Sequence, residues 1–342
     1  MNIFVKTIAL LVLLVVTANA QVYTYFGDMN RNCHIGLPDL NDMAQGILVH
    51  DGVAYDLQVD PDGNGKYDIM DLLLSVNAFL DDTPVVSHPL ARYAFLDVTI
   101  ENNCNFLSAE CNDVPNHTSP YFIQYEADGF YFIDENGDGV NDMYSEPHSG
   151  MNVNPNRISE QDYVFHLPLA PEVAASPSAT NMGPIGVIVN GVTFYNEYEG
   201  PNMPLDDQTI NSFDEYNGHP APNQQGGNGN PPYPGRYHYH LEPLYFNEVE
   251  PYANYSRLLG YALDGFPVYG PLNPDGGTPD LDEYNGEFSS TPEYPEMIYH
   301  YHVTDTPPYF IGAFVGNPSS VDNRPFFKLQ LSLIKNLFYT IC

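Results

Sequence analysis

The chain has 342 residues, and 44 acidic against 10 basic side chains give a formal net charge of −34. A surface so acidic repels nucleic acid and anionic membrane, which leaves cations, and divalent ions above all, as favoured partners. Four cysteines are too few for a disulfide scaffold, and the absence of tryptophan weakens any sugar platform built on that residue.

From the N-terminus, Lys6 and Thr7 precede the apolar run IALLVLLVV and the small-residue ending TANA. Residues 1–20 read as an export signal cleaved before Gln21. No later run is long enough to cross a bilayer. The expected location is therefore secreted, extracellular or at the cell surface.

Residues 21–83 contain an internal repeat, GDMNRNCHIGLPDLNDMAQGIL followed by VDPDGNGKYDIMDLLLSVNAFL. Aligned, the first loop offers Asp28, Asn30, Asn32 and Asp39, and the second Asp60, Asp62, Asn64, Asp68 and Asp71. Oxygen side chains at the first, third, fifth and twelfth loop positions are what Ca2+ needs to be wrapped by hard ligands. A helix with apolar spacing follows each loop, through Leu40, Met43, Ala44, Ile47 and Leu48, then Leu72, Leu73, Val76, Phe79 and Leu80. Ile35 and Tyr67, at the eighth positions, are placed to pin the loops together. A solvated Asp/Asn turn is the plainer alternative. The unit resembles a dockerin, the small all-α calcium-loop module that docks onto cohesin domains, and this implies a cohesin-like partner. It departs from the pattern at Cys33, where the second loop keeps a glycine, Gly65.

A short proline-containing linker at 84–91 leads into a larger domain at 92–317. Its 130s carry a third acidic loop, DENGDGVND, in which Asp134, Asn136, Asp138 and Asp142 surround the bend residue Gly139. With no amphipathic helix behind it, this reads either as an isolated calcium loop or as a polar turn. The chain's 27 glycines and 31 prolines, with Val, Ile, Tyr, Phe and Thr between them, predict many short strands. The fold class expected is mainly β, a sandwich or barrel-like domain. Cys104 and Cys111 are near enough to pair in an oxidising compartment; Cys33 and Cys342 have no obvious partner.

Tyr-His-Tyr-His occurs twice, at 237–240 and 299–302, and takes four of the eleven histidines. On a strand, His238 and His240 share one face, as do His300 and His302, while the tyrosines face the other way. Two such strands brought together would set up to four imidazoles around one point, which suits Zn, Cu, Fe or Ni and not calcium. The plainer alternative is a half-buried strand with a hydrogen-bonded polar face.

The tetrads, LLGYALDGFPVYGPL at 258–272, NDVPNHTSPY at 112–121, NPNRISEQDYVFHLP at 154–168 and GPIGVIVNGVTFYN at 183–196 together resemble the YHYH domain family of exported proteins. EYNGHP at 215–220, LDEYNG at 281–286 and PYFIGAFVG at 308–316 extend the resemblance over nearly all of 95–316. The family is defined by its motif, so the resemblance implies the domain and leaves the chemistry open. It adds His219, which could fold over the first tetrad, and His117, within a glycosylation-type sequon at Asn116; a second sequon lies at Asn254. Asp264 is either a hairpin turn residue or a carboxylate orienting a ligand imidazole, and Asp282 and Glu283 divide in the same way.

Three functions fit. One is an exported metal-binding protein, with calcium in the dockerin-like loops and Cu, Zn or Fe at the histidines. The second is a metal-dependent hydrolase or oxidase acting outside the cell on a substrate such as polysaccharide. The third is a structural or adhesive module carried as cargo on a cohesin-based surface assembly. Residues 318–342 read as an amphipathic helix, a packing strand or a tail.

Overall fold

The computed structural model describes residues 25–49, 66–81, 86–101, 104–200, 202–222, 231–249 and 256–324. The expected export signal, the expected calcium ligands Asp60, Asp62 and Asn64, the sequon at Asn254 and Cys342 lie outside the described residues.

Helices α1 (Leu37–Val49) and α2 (Ile69–Asp81) form at the two expected places. Met43 and Tyr67 make a small core of their own, and the Tyr67 hydroxyl donates to the Met43 carbonyl at 2.8 Å. The pairing predicted for Cys104 is corrected: it bonds Cys33, and Cys111 is buried as a free thiol. Cys33 takes the left-handed bend, φ 63°, at the position where Gly65 stands in the second loop. A side chain in that region costs roughly 1–2 kcal/mol, and here the residue that takes it is the one cross-linked to Cys104.

The larger region is mainly β. A four-stranded sheet runs in the order β1 (Asp97–Ile100), β2 (Phe106–Cys111), β4 (Tyr163–Pro168) and β17 (Val321–Asn323). The start of the C-terminal segment is thus a packing strand, paired antiparallel with β4. Small two-stranded pieces join β5 (Val173–Ser178) to β16 (Phe314–Gly316), and β8 (Tyr198–Glu199) to β9 (Met203–Pro204).

The largest sheet has nine strands. Its path runs β10 (Gly218–Pro222), β11 (Tyr233–Tyr239), β7 (Thr193–Phe194), β6 (Gly186–Ile188), β12 (Leu258–Ala262), β13 (Pro267–Tyr269), β15 (Ile298–His302) and β14 (Gly286–Ser289). β3 (Asn156–Ile158) adds to β11 off this path. The path is open, ending on β10 and β14, so the barrel expectation is corrected for the described residues.

The order is a palindrome, and the registers repeat with it. In the first half Gly218 faces Tyr239 and His219 faces His238; in the second Gly286 faces Tyr301 and Glu287 faces His300. Phe194 pairs Tyr239 as Val268 pairs Tyr301. At the centre, β6 and β12 pair antiparallel about Val187 and Tyr261. The sequences follow, IGVIVNGVTFY at 185–195 against LGYALDGFPVY at 259–269, and DEYNGH at 214–219 against DEYNGE at 282–287. Two copies of one β-hairpin-plus-strand-pair unit are therefore joined edge to edge about a pseudo-dyad.

Both Asn-Gly turns need their residue types. Asn217 and Asn285 sit at φ 69° and 66°, tolerable for asparagine. A Cβ on Gly218 or Gly286 would collide with the hydroxyl of Tyr237 or Tyr299 crossing over it. Those hydroxyls are tied down by the same turns: Tyr237 donates to Asp214 at 2.7 Å and Tyr299 to Asp282 at 2.9 Å.

Candidate metal centre

The alternation of the tetrads works as predicted. Tyr237, Tyr239, Tyr299 and Tyr301 fill the core on one face, and the histidines occupy the other. Reading across the strands, His219, His238, Thr193, Val187, Tyr261, Pro267, His300 and Glu287 form one transverse row on the same face.

The two His pairs are nonetheless far apart. Four strands separate β11 from β15, or five interstrand steps of ~4.8 Å, roughly 24 Å in all. The expectation that all four imidazoles share one point is corrected: each tetrad builds its own cluster. One gathers Glu199, His219, His238 and His240, and the other Glu287, His300 and His302, with the ligand atoms of each cluster lying within 4.8 Å of one another.

In the first cluster, His219 comes from β10, opposite His238, and Glu199 comes from β8. Glu199 Oε1 lies 2.9 Å from His219 Nε2 and 3.1 Å from His240 Nε2, and His238 Nε2 is 3.0 Å from His240 Nε2. The outer nitrogens fix the tautomers. His238 Nδ1 meets the Arg236 carbonyl at 3.1 Å and His240 Nδ1 the Asn196 carbonyl at 2.5 Å. A carbonyl only accepts, so both Nδ1 atoms carry hydrogen. The Ser212 hydroxyl donates its one proton to the Thr209 carbonyl at 2.7 Å, so at 2.8 Å it accepts from His219 Nδ1. Three Nε2 lone pairs therefore converge, beside a carboxylate, in a buried space.

Burial favours the neutral form of His238 and of His219. Desolvation pulls His238 well below its ordinary value, helped by repulsion from His240 and His219, and pulls His219 down as well. Burial opposes ionisation of Glu199, and the facing nitrogens of His219 and His240 would draw its carboxyl below the usual range only by donating a proton to it. Tyr195 stacks on His238 at 3.9 Å between ring centres, and Phe213 flanks both His219 and His240. The arrangement could offer a cation three buried imidazole nitrogens and one carboxylate.

His117 is not part of it. Its Nε2 accepts from the Tyr239 hydroxyl at 2.9 Å and its Nδ1 donates to the Thr118 carbonyl at 3.0 Å, on the tyrosine face. Asn116, in the same sequon, is half-buried and accepts from Asn190. Nor does any of the three carboxylates singled out in the sequence orient an imidazole. Asp264 receives the Tyr301 hydroxyl at 2.7 Å and the Gly316 amide at 3.0 Å, Asp282 receives Tyr299, and Glu283 is exposed.

Residues 164–276 and 272–316 match the family described as YHYH protein. That is the match. No curated protein and no solved structure matches the chain. The YHYH region spans the whole palindromic path, from β6 to β15, and so contains both clusters.

Sequence reasoning missed Glu199 and Glu287. Glu287 was within reach, because DEYNGE aligns with DEYNGH and puts it where His219 stands. Glu199 lies on a two-residue strand with no motif around it.

Within the described parts of the acidic loops, side-chain oxygens accept from backbone amides of the same loop. Asp28 is buried and accepts from the Asn32 and Cys33 amides at 3.0 and 2.8 Å. Asn30 accepts from Asn32, Asn32 accepts from His34, and Asp39 accepts from Asn30 and Gly36. Asp71 accepts from the Asp68 amide at 2.7 Å. In the inserted loop, Asp134 accepts from Gly137, Asp138 and Gly139, Asn136 from Asp138, Asp138 from Val140, and Asp142 from Glu135. Gly139 takes φ 82°, as a bend residue does.

Proposed function

We propose that the chain is an exported metal-binding protein of the YHYH kind, holding one divalent transition ion between Glu199, His219, His238 and His240. The fixed tautomers carry this reading. His238 and His240 point two unprotonated nitrogens at each other across 3.0 Å, with His219 and Glu199 closing the ring. Only an added proton or a metal ion relieves that arrangement. Three imidazoles and a carboxylate make a four-ligand set suited to Zn, Cu or Fe. Acceptors behind each ring supply the outer shell that orients ligand histidines, and the low proton affinity of His219 and His238 leaves their nitrogens free for an ion.

The same reading assigns Ca2+ to the acidic loops. Carboxylates at the expected positions, with backbone amides turned onto them, support it at Asp28–Asp39 and Asp134–Asp142. The dockerin-like reading of the N-terminal unit draws support from α1 and α2, which expose Leu37, Leu48, Ile69 and Leu80, an apolar surface for a cohesin-like partner. The Cys33–Cys104 disulfide supports an oxidising, extracellular compartment.

Elemental analysis of the purified full chain tests the central assignment. The expected result is bound Zn, Cu or Fe, of which the H238A/H240A double variant loses one equivalent while keeping its circular dichroism. Equal metal in both proteins, or none in the wild type after exposure to each ion, would refute it.

A further inference from the structure

The far end of the sheet repeats the first cluster with one ligand changed. His300 stands where His238 does and His302 where His240 does, each Nδ1 donating to a carbonyl: Ile298 at 3.1 Å and Gly270 at 2.7 Å. Gly270 is the counterpart of Asn196, which serves His240 in the same way. Both rings are almost fully buried, and both Nε2 atoms lack a hydrogen-bond partner among the described residues. An orphaned buried ring nitrogen is destabilising unless something occupies the space in front of it. Here two of them face the same space.

Glu287 lines that space from β14. Its Oε1 lies 3.6 Å from His300 Nε2 and 3.9 Å from His302 Nε2, too long for a direct hydrogen bond and of the spacing that ligands around a shared ion adopt. Ser289 donates to the same carboxylate oxygen at 2.9 Å and orients it. The β8–β9 hairpin that delivers Glu199 has no equivalent here. The corresponding stretch, GPLNPDGGTPDL at 270–281, contributes no carboxylate to the cluster.

We propose that Glu287, His300 and His302 form a second, separate transition-metal site, with two histidines and one carboxylate as its protein ligands among the described residues. Three ligands leave at least one coordination position for water or a small anion. The first site, with four, is closed. The duplicated sheet thus carries one coordinatively full centre and one open centre, on the same face at opposite ends of one transverse row. The inference shares with the functional reading only the premise that such His clusters hold metal, and it does not need the first site to be filled.

Titration of the full chain with Co2+ in millimolar calcium, which saturates the acidic loops, reads both sites at once. The expected stoichiometry is two Co2+ per chain. H300A/H302A should bind one, and so should H238A/H240A. E287Q, which disturbs packing least, should weaken one of the two binding steps by at least the ~10-fold that loss of a mere outer partner costs. Azide should shift the visible spectrum of H238A/H240A, which retains the open site, and leave that of H300A/H302A unchanged. A single Co2+ that is lost in H238A/H240A and kept in H300A/H302A would end the second site and leave the first standing. A single Co2+ with the reverse pattern would end the first reading alone. No bound Co2+ in the wild type would end both.

Discussion

His238 Nε2 lies 3.0 Å from His240 Nε2, and each ring's other nitrogen is committed to a backbone carbonyl. Neither ring can turn its hydrogen inward without abandoning a buried acceptor. Removing both imidazoles should therefore relieve an electrostatic conflict in the metal-free chain. The metal-free H238A/H240A variant is expected to lose less than ~2 kcal/mol in urea unfolding, below the usual cost of truncating two fully buried side chains. A loss above ~4 kcal/mol would make the cluster a packing feature.

The tyrosines of the same tetrads behave oppositely. Tyr237 donates to Asp214, which also receives the Ser119 hydroxyl, in a fully buried network. Tyr237→Phe leaves Asp214 short of a donor and should cost about 1–3 kcal/mol, with metal content unchanged. Unfolding midpoints and elemental analysis on the same sample separate the two faces.

Gly218→Ala and Gly286→Ala push a methyl into the tyrosine hydroxyl that crosses each turn. Each should destabilise by about 1–3 kcal/mol. Pairing Gly218→Ala with Tyr237→Ala should cost less than the sum of the two single changes, because the methyl clashes with that ring at Cζ as well as at the hydroxyl. A strictly additive double variant would contradict the packing account.

Burial raises the Asp264 carboxyl to about 6, against the hydrogen bonds from Tyr301 and Gly316 that favour its charged form. The folded value exceeds the unfolded one, so the protonated group's contribution is complete below pH ~4 and is lost as pH rises from about 4 to 6. The amount is on the order of 3 kcal/mol. Asp264→Asn should flatten the stability profile across that window relative to wild type. Parallel profiles would refute the assignment.

The Cys33–Cys104 bond closes a loop across 71 residues and fastens the α1 unit to the β region. Its reduction should cost about 2–4 kcal/mol. The measurement is the unfolding midpoint of Cys33→Ser against wild type, with and without reductant; reductant should affect the wild type alone.

The strands and the inward and outward faces of both tetrads were legible because alternation is a local property. The separation of the two clusters was not, since Tyr-His-Tyr-His repeats identically whether its copies meet or stand at opposite ends of a palindrome. Only pairing partners decide that, and β6 and β12 pair through Val187 and Tyr261, residues with no motif value. The same limit applies to Cys33: spacing favoured Cys104 with Cys111, while the fold brings a residue from a distant loop. Asp264 and Asp282 were candidates from sequence, yet each lies in a turn and receives a tyrosine hydroxyl, Tyr301 and Tyr299 respectively.

Anomalous diffraction from crystals of the full chain grown with Zn2+, collected on both sides of the zinc edge, tests the central claim most directly. The account predicts a peak about 2.0–2.1 Å from the Nε2 atoms of His219, His238 and His240, with Glu199 completing the shell. A featureless map at that position, with one of the paired rings protonated between Glu199 and its neighbour, would contradict it.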